Sequence, residues 1–90
     1  APTAYQQLTS VARYLQDNPD ISIEVRGYSD PVGSEKYNES LAERRAAAVK
    51  KALNTVFKIK GDRLHIKAMG ENDSLSENYQ INRRVDFAIK

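Results

Sequence analysis

The sequence predicts an α+β, two-layer fold in which two helices pack on one face of a mixed β-sheet. Two observations predict it: apolar residues recur at helical spacing in two segments and alternate with polar residues in three others. The predicted order is helix, strand, helix, strand, loop, strand. Because a helix joins the first two strands, we expect them to run parallel, while the irregular loop before the last strand permits antiparallel pairing.

The first helix is predicted to end at the polar segment 17–20, which contains a proline. Its apolar stripe consists of Leu8, Val11, Ala12 and Leu15. The segment 21–28 then alternates apolar and polar residues, which is typical of a strand with one buried face.

The second helix is predicted over about 34–54. Ser40 and Glu43 have the spacing of a capping box, so the helix is expected to bend or restart there. Its predicted apolar stripe consists of Leu41, Ala48, Val49, Ala52 and Leu53. Val56, Phe57 and Ile59 are expected to add core residues in the connection that follows.

Two further strands are predicted at 63–69 and 83–90, separated by a polar loop at 70–81. In the first, apolar residues alternate with His65 and Lys67, which are expected to face away from the core. In the last, Arg83 shares a face with the apolar positions 85, 87 and 89, and its neighbour Arg84 points the other way.

Composition excludes several classes of function. The 90 residues suit one domain spanning 1–90, and a net charge of +2 without a basic stripe argues against a nucleic-acid partner. The absence of cysteine excludes disulfides and thiolate chemistry, and a single histidine, His65, excludes a multi-histidine metal site. The sequence has no apolar run long enough to cross a bilayer and no signal peptide, so any membrane anchor is expected outside these residues.

Arg45 is the residue that periodicity makes unusual. At 100° per residue it falls between Ala52 and Val49, on the stripe that should be buried. A guanidinium there either lines a polar pocket or lets its stem cover the edge of the core while its head reaches solvent.

Asp30 follows the first strand and precedes a proline and a helix. It either caps backbone donors in the turn or accepts a ligand cation at the carboxyl end of a strand. Asn38 lies between Asp30 and Arg45 in the sequence, near the start of the helix. No nucleophile elbow, phosphate loop or pair of acids in register accompanies these residues, so an enzyme is the weakest interpretation.

Several segments of the sequence together form one extended pattern. Residues 27–34 are GYSDPVGS, followed by YN at 37–38 and LAERRA at 41–46. Later segments are RL at 63–64, MGE at 69–71 and NRRV at 82–85. Together these segments resemble the OmpA C-terminal-like (OmpA/Pal/MotB) peptidoglycan-binding domain family, and the likeness extends over nearly the whole chain. The long first block with fixed spacing is far more specific than any short motif.

The resemblance implies a β-α-β-α-β-β domain that binds the peptide stem of peptidoglycan without catalysis, cofactor or metal. The group recognised would be meso-diaminopimelate. Asp30 would accept its ammonium, Arg45 would bind its carboxylate and Asn38 would hydrogen-bond the ligand. Arg83 would lie at the edge of the pocket, and Ser29, beside Asp30 in the matching motif, completes the candidate ligand-binding residues.

The chain also departs from the family pattern. The family's first strand would precede residue 1, so one sheet position is expected to be open, and a homodimer through that edge is a further expectation. Alanine occupies position 42, where serine is common, and no proline follows the MGE segment. The resemblance also implies a periplasmic domain attached to the outer membrane. The alternative is a structural or oligomerisation domain of a porin or stator complex with weak or lost wall binding.

Overall fold

The computed structural model describes residues 4–28, 35–70 and 85–90, and at positions 4, 5, 35 and 70 it describes the backbone alone. In chain order they form α1 (Ala4–Asp17), β1 (Ile23–Tyr28), α2 (Glu35–Thr55), a 3-10 turn (Gly61–Arg63), β2 (Leu64–Gly70) and β3 (Val85–Ile89). The predicted class, α+β with two helices and a mixed sheet, is confirmed. The loop predicted over 70–81 lies almost wholly outside the described residues.

The described strands form one sheet in the order β2-β1-β3, which makes β1 the central strand. β1 runs parallel to β2, as expected for two strands joined by a helix, and antiparallel to β3. Val25 is the middle of the register, paired with Ile66 on β2 and with Phe87 on β3. β3 therefore lies next to β1 in the sheet and not next to β2, which precedes it in the sequence.

The stripe predicted for α1 is buried. Val11, Ala12 and Leu15 are at most 3% exposed, and Leu8 packs against the same core. They contact the inner face of the sheet, where the alternation of β1 places Ile23 and Val25. The α1 stripe and the alternation of β1 were both predicted from the sequence.

Arg63 fixes the end of α1. Its Nε donates to the Ile21 carbonyl at 2.9 Å, and its Nη2 donates to the carbonyls of Leu15 and Asn18 at 2.8 and 2.7 Å. The last carbonyls of a helix have no partner within the helix, so a cation that reaches them both satisfies them and complements the helix dipole. This one side chain ties the end of α1 to the segment that leads into β1.

The stripe predicted for α2 is partly wrong. The helix is continuous through Ser40 and Glu43, which are exposed, so the bend or restart expected there is not observed. Ala48 faces solvent, and the buried line consists of Asn38, Ala42, Ala46 and Leu53, with Val49 half-buried. Three successive alanines at 46–48 give no contrast in polarity around the helix, so periodicity could not select the buried one.

Gly27 explains why small residues line the buried face of α2. A Cβ built on Gly27 would lie 1.9 Å from the carbonyl oxygen of Ala42 and 3.2 Å from the Cβ of Ala46. The backbones of β1 and α2 therefore approach each other more closely at this point than any side chain on the strand would permit. The pairing of β1 with β2 also shifts register between Gly27 and Tyr28.

Apolar residues become exposed toward the edges of the sheet. Ile66 on β2 is 37% exposed and Ile89 at the end of β3 is 63% exposed, so the burial that alternation predicted for these two positions is not observed. Beyond α2, Ile59 is buried and Phe57 packs on the core, but Val56 is 58% exposed, so its assignment to the core was wrong.

Candidate ligand-binding site

The candidate site lies where β1 ends against the N-terminal half of α2. Arg45 donates from Nη1 to the carbonyl oxygen of Tyr28, the last residue of β1, at 2.8 Å. The guanidinium is partly buried and has five N–H donors, of which one is used in a hydrogen bond to another described residue. Arg45 is therefore held over the carboxyl end of the central strand with donors left for another acceptor.

Asn38 lies on the same face of α2, seven residues before Arg45, which places it about 10 Å away along the helix axis. Its side chain is 2% exposed, so it belongs to the buried line of the helix. Within the part of the chain that the structure describes, its Nδ2 has no hydrogen-bond partner. Leaving a buried amide donor unsatisfied costs about 1–3 kcal/mol, which makes this atom a candidate contact for a ligand acceptor.

Tyr28 joins this site to the opposite face of the sheet. Its hydroxyl donates to Oδ2 of Asp86 on β3 at 3.2 Å, and both side chains are buried, Tyr28 at 3% and Asp86 at 0% exposed. Burial raises the pKa of the Tyr28 phenol, and the negative charge and hydrogen bond of Asp86 raise it further. The phenol is therefore kept protonated, as the donor in this contact.

An ion pair lies beside Tyr28 on that outer face. Arg26 Nε donates to Oε1 of Glu24 at 2.8 Å, with both side chains less than one-third exposed. The hydrogen bond from Arg26 lowers the pKa of Glu24 despite some desolvation, and it raises the pKa of Arg26. Asp86 stands opposite Arg26 in the β1–β3 register and adds to the field that raises the pKa of Arg26.

The structure brings together two of the five predicted site residues. Asn38 and Arg45 share one face of α2, about 10 Å apart along the helix axis. Ser29, Asp30 and Arg83 lie outside the described residues. Sequence analysis missed the Tyr28 carbonyl and Asp86. The alternation of the last strand placed Asp86 on an outer face, where solvation is the ordinary expectation, and only the register reveals Tyr28 beside it.

Other features of the described residues do not point to a different chemistry. No group of three His, Cys, Asp or Glu side chains in ranges 4–28, 35–70 and 85–90 could hold a metal ion. None of the helices described is long and apolar enough to cross a membrane. An open depression near the start of β2 mixes Lys50, Lys67 and Lys90 with Glu24 and Asp62, and it lies at the far end of β1 from Arg45.

Comparisons with known proteins agree with this architecture. Outer membrane porin F of Pseudomonas aeruginosa is 32% identical over a 92-residue alignment that covers 97% of this chain and 26% of that protein. The chain thus spans about a quarter of the length of this relative. The peptidoglycan-associated lipoprotein of Burkholderia pseudomallei has a TM-score of 0.76 at 27% identity, covering 92% of this chain and 74% of that one.

A more distant structure shares the same fold. The C-terminal domain of Helicobacter pylori MotB has a TM-score of 0.73 at 22% identity, covering all of this chain and 75% of that one, a likeness that shows the fold alone. The sequence pattern of the OmpA family matches residues 1–86. Because that match covers nearly the whole chain and the fold agrees with it, this chain belongs to the OmpA family.

Proposed function

We propose that this domain binds the peptide stem of peptidoglycan without cutting it, and so attaches a membrane protein to the cell wall. The observation that carries the proposal is the placement of Arg45 and Asn38 on one face of α2 beside the end of β1. A partly buried guanidinium and a buried amide whose donor has no partner among the described residues both suit an acidic ligand. That a solved relative is named a peptidoglycan-associated lipoprotein supports the same conclusion.

The group recognised is meso-diaminopimelate, whose free end carries one ammonium and one carboxylate. Arg45 binds the carboxylate, because a planar guanidinium matches a carboxylate in two parallel hydrogen bonds. Asp30 accepts the ammonium. It follows Tyr28, whose carbonyl Arg45 contacts, by two residues in the sequence. Asn38 donates to the ligand, and Ser29 and Arg83 border the pocket.

Binding without turnover follows from the chemistry that the proposed site contains. A guanidinium, a carboxamide and a single carboxylate orient a zwitterion but do not provide a general acid and a general base for bond cleavage. Incubation with peptidoglycan should therefore release no new fragments by chromatography. Reproducible release that an Arg45→Ala substitution abolished would contradict this proposal.

The site of action is the periplasm, with attachment to the outer membrane through a region beyond these residues. The relatives named as outer membrane proteins support this placement. The partner is then the diaminopimelate-containing wall itself, with no role for nucleic acid.

The main test compares binding to purified sacculi and to stem peptides. Each charged contact to the zwitterion is expected to contribute about 1.5–3 kcal/mol, so Asp30→Ala and Arg45→Ala should each weaken binding about tenfold to a hundredfold. Arg44→Ala is the matched control, because Arg44 is the exposed neighbour of Arg45 on the same helix and loses the same charge.

Isothermal titration with two peptides sharpens this test. A diaminopimelate stem should bind far better than a lysine stem, which lacks the second carboxylate. Equal affinity for the two peptides, or unchanged affinity in Arg45→Ala, would show that Arg45 does not bind a ligand carboxylate.

One observation favours the alternative, an oligomerisation domain. β3 forms one edge of the described sheet and ends in Ile89, which is 63% exposed. An open edge with an exposed apolar side chain can pair with another chain. If the domain dimerised tightly and showed no affinity for sacculi, the structural role would replace the binding role.

A further inference from the structure

We propose that Tyr28 and Asp86 are positioning residues for Arg45: their contact across the sheet fixes the carbonyl that orients the guanidinium toward the ligand carboxylate. This inference rests on the proposed function for its ligand, but its geometry is independent of it. Neither residue is expected to touch the ligand. Their effect is transmitted through the backbone at the end of β1.

The first step of the argument is that the end of β1 is irregular. The register with β2 shifts between Gly27 and Tyr28, and Tyr28 then pairs with Gly70, so the ladder is irregular where the Tyr28 peptide group is oriented. Such irregularities re-aim the groups beside them and are common next to functional sites. Contacts outside the β1–β2 ladder are therefore expected to help fix the orientation of this peptide group.

The second step is that Tyr28 is held from both sides of the sheet. On one side its carbonyl accepts from Arg45 Nη1 at 2.8 Å, and on the other its hydroxyl donates to Asp86 Oδ2 at 3.2 Å. The phenol and the carboxylate are almost completely buried, so bulk water has little access to compete for their hydrogen bond. A buried hydrogen bond to a charged acceptor is among the stronger polar contacts in a protein.

The third step concerns the burial of Asp86. A carboxylate at 0% exposure carries a large desolvation cost unless neighbouring donors and cations stabilise it. Arg26 lies opposite Asp86 in the β1–β3 register, and the two charges attract. Asp86 is thus held by its own strand pairing and by Arg26, which makes it a fixed anchor for the phenol.

The consequence is a selective effect on one ligand. Removing the Tyr28 hydroxyl frees the ring and lets the Tyr28 carbonyl move, so the Arg45 guanidinium becomes less ordered. A ligand that uses Arg45 should lose affinity, whereas a ligand without the second carboxylate should not. A merely structural role for Tyr28 would weaken both ligands alike.

The experiment uses Tyr28→Phe and Asp86→Asn, with Tyr14→Phe as the matched control, since Tyr14 is half-buried on α1 and away from the site. By titration, Tyr28→Phe should weaken the diaminopimelate stem about threefold to tenfold and the lysine stem less than twofold, a difference of about 1 kcal/mol. Asp86→Asn keeps an acceptor for the phenol but removes the negative charge, so it should weaken the diaminopimelate stem less than Tyr28→Phe does and the lysine stem less than twofold. Tyr14→Phe should match the wild type with both peptides.

A second measurement needs no ligand. The Arg45 side-chain N–H signals in the NMR spectrum of the free protein should shift and average in Tyr28→Phe while thermal unfolding stays cooperative. Unchanged Arg45 signals, or equal losses for both peptides, would overturn the positioning role. A wild type that bound neither peptide would instead overturn the proposed function, and the Arg45 signals would still decide the positioning role.

Discussion

Gly27→Ala tests the closest approach between the central strand and α2. The new Cβ would begin 1.9 Å from the Ala42 carbonyl oxygen, and real contacts of this kind are essentially never below 3.0 Å. The helix and strand must therefore separate by at least about 1.1 Å. Because the clash is with backbone, no rotamer change relieves it, and we expect a loss of about 3 kcal/mol in the free energy of unfolding, toward the upper end for overpacked cores.

Such a loss is large for a domain of this size. At about 4–8 °C per kcal/mol, the melting temperature should fall by about 12–24 °C. The same displacement would pull Arg45 away from the Tyr28 carbonyl, since a 2.8 Å contact has only a few tenths of an ångström before it leaves hydrogen-bonding range. Affinity for the diaminopimelate stem should therefore fall even at temperatures where the variant remains folded.

Gly61→Ala is the matched control. A Cβ there would meet only Lys50 Cε, at 3.8 Å, which is ordinary contact with a flexible side chain. Its melting temperature should lie within a few degrees of the wild type, because a change without a clash is usually worth less than about 0.5 kcal/mol. If calorimetry showed equal melting temperatures for Gly27→Ala and Gly61→Ala, the close packing of β1 on α2 would be refuted.

Three further outcomes are expected. Arg63→Ala should lower the free energy of unfolding by about 2–4 kcal/mol in urea titrations, because three carbonyls near the end of α1 lose their donor, and Arg63→Lys should recover little of it. The ion pair of Glu24 with Arg26 should stabilise the fold above the ordinary glutamate pKa of about 4.5. This stabilisation should be lost as the pH falls through the lowered pKa that Glu24 has in the folded protein. The free energy of unfolding of Glu24→Gln should therefore depend less on pH between about 5 and 3 than that of the wild type. Ile89→Lys should abolish any concentration-dependent dimer seen by light scattering, and a strict monomer at high concentration in the wild type would count against pairing through β3.

The pattern of apolar and polar residues was enough to predict the elements whose two faces differ strongly in polarity. The apolar stripe of α1 and the alternation in β1 each determine one buried face, and both were found as predicted. The parallel pairing of β1 with β2 followed from the intervening helix. The alanines at 46–48 show no difference in polarity between the faces of α2. Which of them is buried therefore depends on the element that packs against the helix, here the backbone of β1 at Gly27.

The site was predictable in part for the same reason. Arg45 and Asn38 are separated by two helical turns, so sequence spacing alone places them on one face of α2. The contact of Tyr28 with Asp86 joins residues 58 positions apart and depends on the antiparallel register of β3 with β1. No local pattern encodes a register between strands that are distant in sequence, so the burial of Asp86 on the outer face of the sheet could not be foreseen.

The position of β1 between two other strands has a consequence for motion. Amides of a strand paired on both sides exchange with solvent only through large openings, whereas frayed edges open at little cost. Gly27, the residue before Tyr28, is still paired on both sides, so the carbonyl under Arg45 lies next to the part of the domain that opens last. A ligand bound to Arg45 would therefore leave by simple dissociation, without local unfolding of the backbone at the end of β1. We expect the backbone amides of β1 to exchange most slowly in the domain, and the ligand to change their exchange rates little.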